Sequence, residues 1–115
     1  MSDASLPTAL WVESHIAQCH SACIPVYVVN KGAHSGATVI LKINGLGNGY
    51  QVLTQMRDAD GTLGWMHALG DSNKEIAESE IDAYIRRSIE RDPDVWAIEI
   101  EDKNMKNPFE GKIIG

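Results

Sequence analysis

Aromatic residues are scarce in this sequence: three Trp, three Tyr and one Phe make up 6% of its 115 residues. Cysteine is scarcer still, with only Cys19 and Cys23. A chain of this length buries about two thirds of the surface it exposes unfolded, so it needs no disulfide framework. A bridge between two cysteines so close in sequence would close a tiny loop and constrain little. No run of about 18 apolar residues occurs, which excludes a transmembrane helix. The apolar stretch Ala9 to Val12 is short and has no basic region before it, so no signal peptide is read there. The expected compartment is therefore the cytoplasm, with both thiols free. Positive charge is also in short supply: 10 basic residues face 16 acidic ones, for a net charge of −6. A protein that coats phosphate backbones is basic, so nucleic-acid binding is excluded as a general role. No membrane association is expected either. What remains is 43% hydrophobic and 23% charged residues, the balance of one ordinary globular domain.

The apolar pattern divides the chain. Val12, Ile16, Cys19 and Cys23 recur at helical spacing between Ala9 and about Ala22. Leu6-Pro7-Thr8 reads as the entry, with Thr8 as the expected cap. Pro25 disfavours helix at Ile24 and ends the segment. Ile24 to Val29 and Thr38 to Ile43 are β-branched, unalternated runs, the pattern of strands covered on both faces. Tyr50 to Met56 alternates as a half-exposed strand, and Leu63 to Leu69 follows as a fourth. The turns between them are Asn44 to Gly49 and Asp58 to Gly61. Gly70 to Asn73 reads as loop. Ile81, Ile85 and Ile89 then mark a second helix, with Ser79 and Asp82 as a candidate capping box and Asp82 with Arg86 as a surface pair. Asp92-Pro93-Asp94 stops that helix. A fifth strand runs to Glu101, with Trp96, Ile98 and Ile100 on one face.

The expected fold class is α/β (α+β), a single domain over 1–115 with the order α-β-β-β-β-α-β. The sheet is predicted to be mainly an antiparallel meander, with a helix on each face and so three layers. The place of the fifth strand is left open between the first strand, the second and the edge. The alternative is a two-layer sandwich with both helices on one face. Residues 1–5 and 103–115 are expected to be less ordered tails.

Several groups invite a chemical reading. Cys19, His20 and Cys23 are soft ligands of the kind zinc prefers. With His15 added, the stripe His15, Cys19 and Cys23 at i, i+4 and i+8 spans about 12 Å of helix axis, too far for one ion, so at best two of the three could bind, and no Cys-x-x-Cys is present. The competing reading is core packing. Gly45 to Gly49 has the look of a phosphate loop but is followed by a strand rather than a helix N-terminus, so it reads as a hairpin turn. Asp58 to Gly61 opens like a calcium loop but lacks the later Gly and Glu. Arg86, Arg87 and Arg91, with Asp92, Asp94, Glu99 and Glu101, form the densest charged stretch. It is either a solvated ion-pair network or a patch that docks an anion or a partner. Any exposed Trp would add an interface anchor.

The segments Leu6-Pro-Thr-Ala-Leu-Trp-Val12, Val39-Ile-Leu-Lys-Ile-Asn44 and Asp92-Pro-Asp-Val-Trp-Ala-Ile-Glu-Ile-Glu-Asp102 resemble a family of small bacterial, mostly alphaproteobacterial, single-domain proteins classed as a domain of unknown function. The resemblance runs from Leu6 to about Asp102. It implies a compact α/β fold and a cytoplasmic bacterial protein, and carries over no catalytic residue. No nucleophile, base and orienter assemble from spacing alone, so an enzyme is the less favoured reading. The expected role is a small accessory or protein-interaction domain, taking another protein or a second copy of itself, with no cofactor. The alternative is a small-ligand or metal-binding protein.

Overall fold

The stripe over Val12 and Cys19 does wind into a helix. In the computed structural model, which describes residues 6–70 and 75–114, α1 spans Thr8–Ser21 and buries Ala9, Trp11, Val12, His15 and Cys19. The expected cap is not made. Pro7 holds the cap position with no side-chain bond, and Thr8 Oγ1 instead accepts the Ala37 N–H at 3.0 Å. At the other end Cys23 takes a left-handed φ of 60°. Its N–H reaches His20 O, and the Ile24 N–H reaches Cys19 O at 2.8 Å, the paired bonds of a Schellman turn. The second helix, α2, spans Glu78–Arg91 and buries Ile81, Ile85 and Ser88. Ala77 is its cap residue, so the Ser79–Asp82 box does not form. The Gly70 to Asn73 loop falls largely outside the described residues.

Among the described residues six strands form one mixed sheet: β1 (Val26–Asn30), β2 (Val39–Asn44), β3 (Tyr50–Arg57), β4 (Leu63–His67), β5 (Trp96–Glu101) and β6 (Lys112–Ile113), in the order β1-β5-β2-β3-β4-β6. The expected meander exists only over β2, β3 and β4. β5 is inserted between β1 and β2, antiparallel to β1 and parallel to β2, and β6 adds in parallel to β4. Parallel neighbours need a crossover, and the segment carrying α2 returns the chain from β4 to β5. The connection at residues 31–38 is what allows the insertion. It is too long for a tight hairpin and crosses the start of β5, where Trp96 Nε1 donates to Ala33 O at 2.8 Å and Asn30 Nδ2 to Val95 O at 2.8 Å. Gly32 makes the crossing possible, since a Cβ there would lie 2.3 Å from Asp94 O.

The helices cover opposite faces. α1 packs its Trp11, Val12 and Cys19 with Val39, Leu41, Ile43, Leu53, Trp65, Ile98 and Ile100. α2 packs Ile81 and Ile85 with Ile40, Val52, Val95 and Ala97. The alternate residues of β2 and β5 serve the two cores in turn, which accounts for the unalternated apolar runs 39–41 and 96–98. The same pattern misleads for β1. That strand is at the sheet edge, and Tyr27, Val28 and Val29 are about half exposed. All three Trp are buried. Beyond β5, Phe109 enters the α1-side core, and Trp65 Nε1 donates to Glu110 O at 3.0 Å.

Two outcomes follow for stability. Ile98→Ala empties a fully buried site between β1 and β2 and is expected to cost about 2–5 kcal/mol, whereas Val28→Ala at the edge costs under about 0.5 kcal/mol; urea denaturation measures both. Cys23→Gly relieves a left-handed cysteine and should raise stability by about 1 kcal/mol, read as a higher urea midpoint at unchanged slope.

Candidate functional site

β2 carries one charged residue, and it is in the strand interior. Lys42 shares the α2 face with Ile40, and only 4% of it is exposed. A buried ammonium must be paired, and this one is paired three ways. Nζ donates to Glu78 Oε2 at 2.7 Å and to Asp82 Oδ1 at 2.8 Å, and lies 3.7 Å from Glu99 Oε1. The helix spacing of Glu78 and Asp82 stacks both on one side of α2. The parallel register sets Glu99 directly beside Lys42. The Tyr50 ring sits 5.6 Å away, and Asn44 Nδ2 donates to Glu99 Oε2 at 3.2 Å. Burial by itself would lower the Lys42 pKa, but the hydrogen bonds to Asp82 and Glu78 and the charges of Glu99 and Asp82 outweigh it and hold the pKa above 10.5. Burial and the neighbouring Glu78 raise Tyr50 in turn. A lysine that acts as nucleophile or base needs its pKa lowered, so Lys42 is a clamp between α2 and the sheet. Asp82 is taken up by this clamp, and among the described residues it makes no ion pair with Arg86.

The clamp sets α2 over β2 and β3 and leaves β1 uncovered. Between helix and edge strand lies a groove of about 400 Å³, with Val29, Ile85 and Ile89 as apolar walls and Lys42, Asp82, Arg86, Glu90 and Glu99 as its charged lining. Tyr27 stands opposite Glu99 on this same face. Glu101 follows on the next outward position of β5.

The free side of β1 is specific in its bonding. The Glu101 N–H donates to Pro25 O at 3.1 Å, so in the antiparallel alternation Tyr27 turns its main-chain groups toward β5. Val26 and Val28, which stand opposite Ile100 and Ile98, then turn theirs to the open edge. The pairing ends in a bulge between Val28 and Asn30.

The charged stretch singled out from the sequence is split by the fold. Arg86 and Glu99 meet in the groove. Arg87 lies across the helix in a separate hollow with Ser79, Glu80 and Ala83. Arg91, Asp92 and Asp94 are exposed at the end of α2, where Asp92 Oδ1 accepts the Asp94 N–H at 3.1 Å. Cys19 is buried, and that burial raises its thiol pKa. His20 and Cys23 are exposed. Among the described residues no group of three or more His, Cys, Asp or Glu is placed to hold a metal ion. In the sequence Lys42 is legible only as an odd charge in an apolar strand. Tyr27, Val28 and Val29 are hidden there by a run that resembles core, although Pro25 at its head is the edge-strand residue type.

The family model described as "Protein of unknown function (DUF1491)" matches residues 6–110. The fold is similar to the crystal structure of a DUF1491 family protein from Caulobacter crescentus CB15, with a TM-score of 0.83, 24% identity and coverage of 95% of this chain and 99% of that one. The solution structure of a DUF1491 family protein from the same organism gives a TM-score of 0.79 at 24% identity, covering 96% and 97%. Protein Atu0922 from A. tumefaciens gives 0.67 at 18% identity, covering 84% and 85%. No curated protein matches the chain significantly.

The Lys42 clamp has a pH signature. A lysine held above its ordinary 10.5 binds its proton more tightly folded than unfolded. Its contribution is complete below that value and is lost as pH rises through the higher folded one. Tyr50 acts in the same direction. Urea midpoints at about pH 9 and about pH 11.5 are expected to fall for the wild type, and to fall less for Lys42→Met, which retains only the tyrosine part.

Proposed function

We propose that this chain, which belongs to the DUF1491 family, is a non-catalytic protein-interaction domain that docks a partner along β1 and the groove beside α2. The observation that carries the reading is the run Tyr27, Val28 and Val29, exposed at 52%, 48% and 50% on an edge strand. Edge strands that face only water are normally blunted by charge, and Val26–Asn30 contains no charged residue. An exposed, uncharged edge with outward main-chain donors and acceptors is the surface to which an extended segment adds as a further strand. The titratable groups described nearby are engaged with one another around Lys42 rather than presenting a base or nucleophile, which favours binding over chemistry. The setting we favour is the bacterial cytoplasm, in keeping with two unpaired thiols.

Site-specific photocrosslinking in cells tests this. A photoreactive residue in place of Tyr27 is expected to give a discrete adduct with another protein, and one at Gln18, on the exposed side of α1, to give none. Val28→Pro removes an outward donor without touching the bonds to β5 and should abolish the adduct at about unchanged stability, since proline is tolerated where the N–H faces out of the sheet. Failure of the Tyr27 position to crosslink would refute the reading.

A further inference from the structure

The docking surface has a charge, and that charge selects among occupants. We infer that the segment added at β1 is an extended, basic one: a strand alternating Lys or Arg with apolar residues. The inference rests on β1 being the docking edge and names what docks there.

The groove beside β1 is unbalanced. Glu99, Glu90 and Asp82 line it with Lys42 and Arg86, and Lys42 is consumed by its three carboxylates. The two cations Lys42 and Arg86 leave the three carboxylates of the lining at a net −1, and Glu78, which also binds Lys42, brings the cluster to −2. Glu101 adds a further negative charge along the same face of β5. A strand added to β1 sits about 10 Å from β5. A Lys or Arg side chain on that strand, pointing to the α2 face, lies across Tyr27 and Val29 with its stem on apolar surface and its charge toward Glu99 and Glu90. The exposed Tyr27 ring adds a cation–π surface on the way. Side chains on the other face meet Val26 and Val28, so apolar residues belong there.

A second copy of this chain does not meet these requirements. The strand that it would offer, Val26–Asn30, carries no cation for the groove. Pairing two copies about β1 also brings two acidic grooves together on chains that each carry −6, and like charges in an interface are selected against. The uncovered edge and the acidic groove beside it thus point to the same occupant.

The test is a titration of the isotope-labelled protein, following the amide shifts, with two capped six-residue peptides. One alternates lysine and valine, and the other has glutamate in place of lysine. The lysine peptide is expected to move the Val26 and Val28 amides and to bind at least about tenfold more tightly than its glutamate counterpart. Val28→Pro should weaken it by about tenfold or more. Glu90→Gln, an exposed change that leaves the fold intact, should weaken it about threefold, and about 0.5 M salt should narrow the gap between the peptides. Equal binding of both peptides at β1 overturns the basic specificity while leaving the docking edge standing. So does self-association that Val28→Pro abolishes, since the occupant is then a second copy. Binding of neither peptide by a monomeric protein overturns the inference and the docking reading together.

Discussion

One buried ammonium governs how this molecule is laid out. Lys42 sits inside the sheet layer and must be neutralised where it is, because an unpaired charge there is far costlier than the pairing. Glu78 and Asp82 are drawn down from the first turns of α2 and Glu99 across from β5. The helix is thereby fixed over β2 and β3, and Ile81 and Ile85 fall onto Ile40, Val52 and Ala97. A hydrophobic core sets how closely a helix packs but is indifferent to small shifts along or across the sheet. Two short hydrogen bonds from one atom to Glu78 and Asp82 are not indifferent, so the clamp gives the helix its position.

That position has a consequence at the edge. The described sheet is six strands wide, and a helix held over its centre cannot also shelter β1. Tyr27 and Val29 are left facing the groove, and the α1 side shelters Val26 better than Val28. The edge strand is short, preceded by Pro25 and ended by a bulge, devices that limit open-ended pairing. Between them lies a stretch of uncharged, outward-bonding backbone long enough for one added segment, bordered by carboxylates. Restricted length and local charge are what distinguish a docking edge from an aggregation-prone one.

Much of this architecture is legible in the amino-acid sequence. The helices, β2 as a strand covered on both faces, the β2–β3–β4 meander and the shared face of Trp96, Ile98 and Ile100 follow from periodicity and turn residues. The place of β5 is not legible, because pairing partners with similar apolar patterns are interchangeable in sequence. The one hint is the length of the 31–38 connection, more than a neighbouring hairpin requires. The reading of Thr8 as a cap and of Asp82 as a partner for Arg86 fails for a common reason. Local rules assign a polar side chain to its nearest neighbour along the chain, and in both cases a partner from a distant element is better placed: the Ala37 N–H for Thr8, the Lys42 ammonium for Asp82. Of the charged stretch read as a candidate site, Arg86 and Glu99 meet, while Arg87 and the residues around Pro93 are directed elsewhere.

By itself the sequence determined the two helices, the first five strands, their apolar faces and the acidic balance, since these depend on residues close together along the chain, while β6 exists only through its pairing with β4. Tertiary structure alone decided which apolar strand was core and which was edge. Ile24 to Val29 and Thr38 to Ile43 are nearly equivalent as strings of side chains. What separates them is that β5 and β3 flank β2 on both sides with a helix above and below, while β1 has β5 on one side and water on the other. Burial is a property of neighbours in space, and a strand does not carry its neighbours in its own sequence.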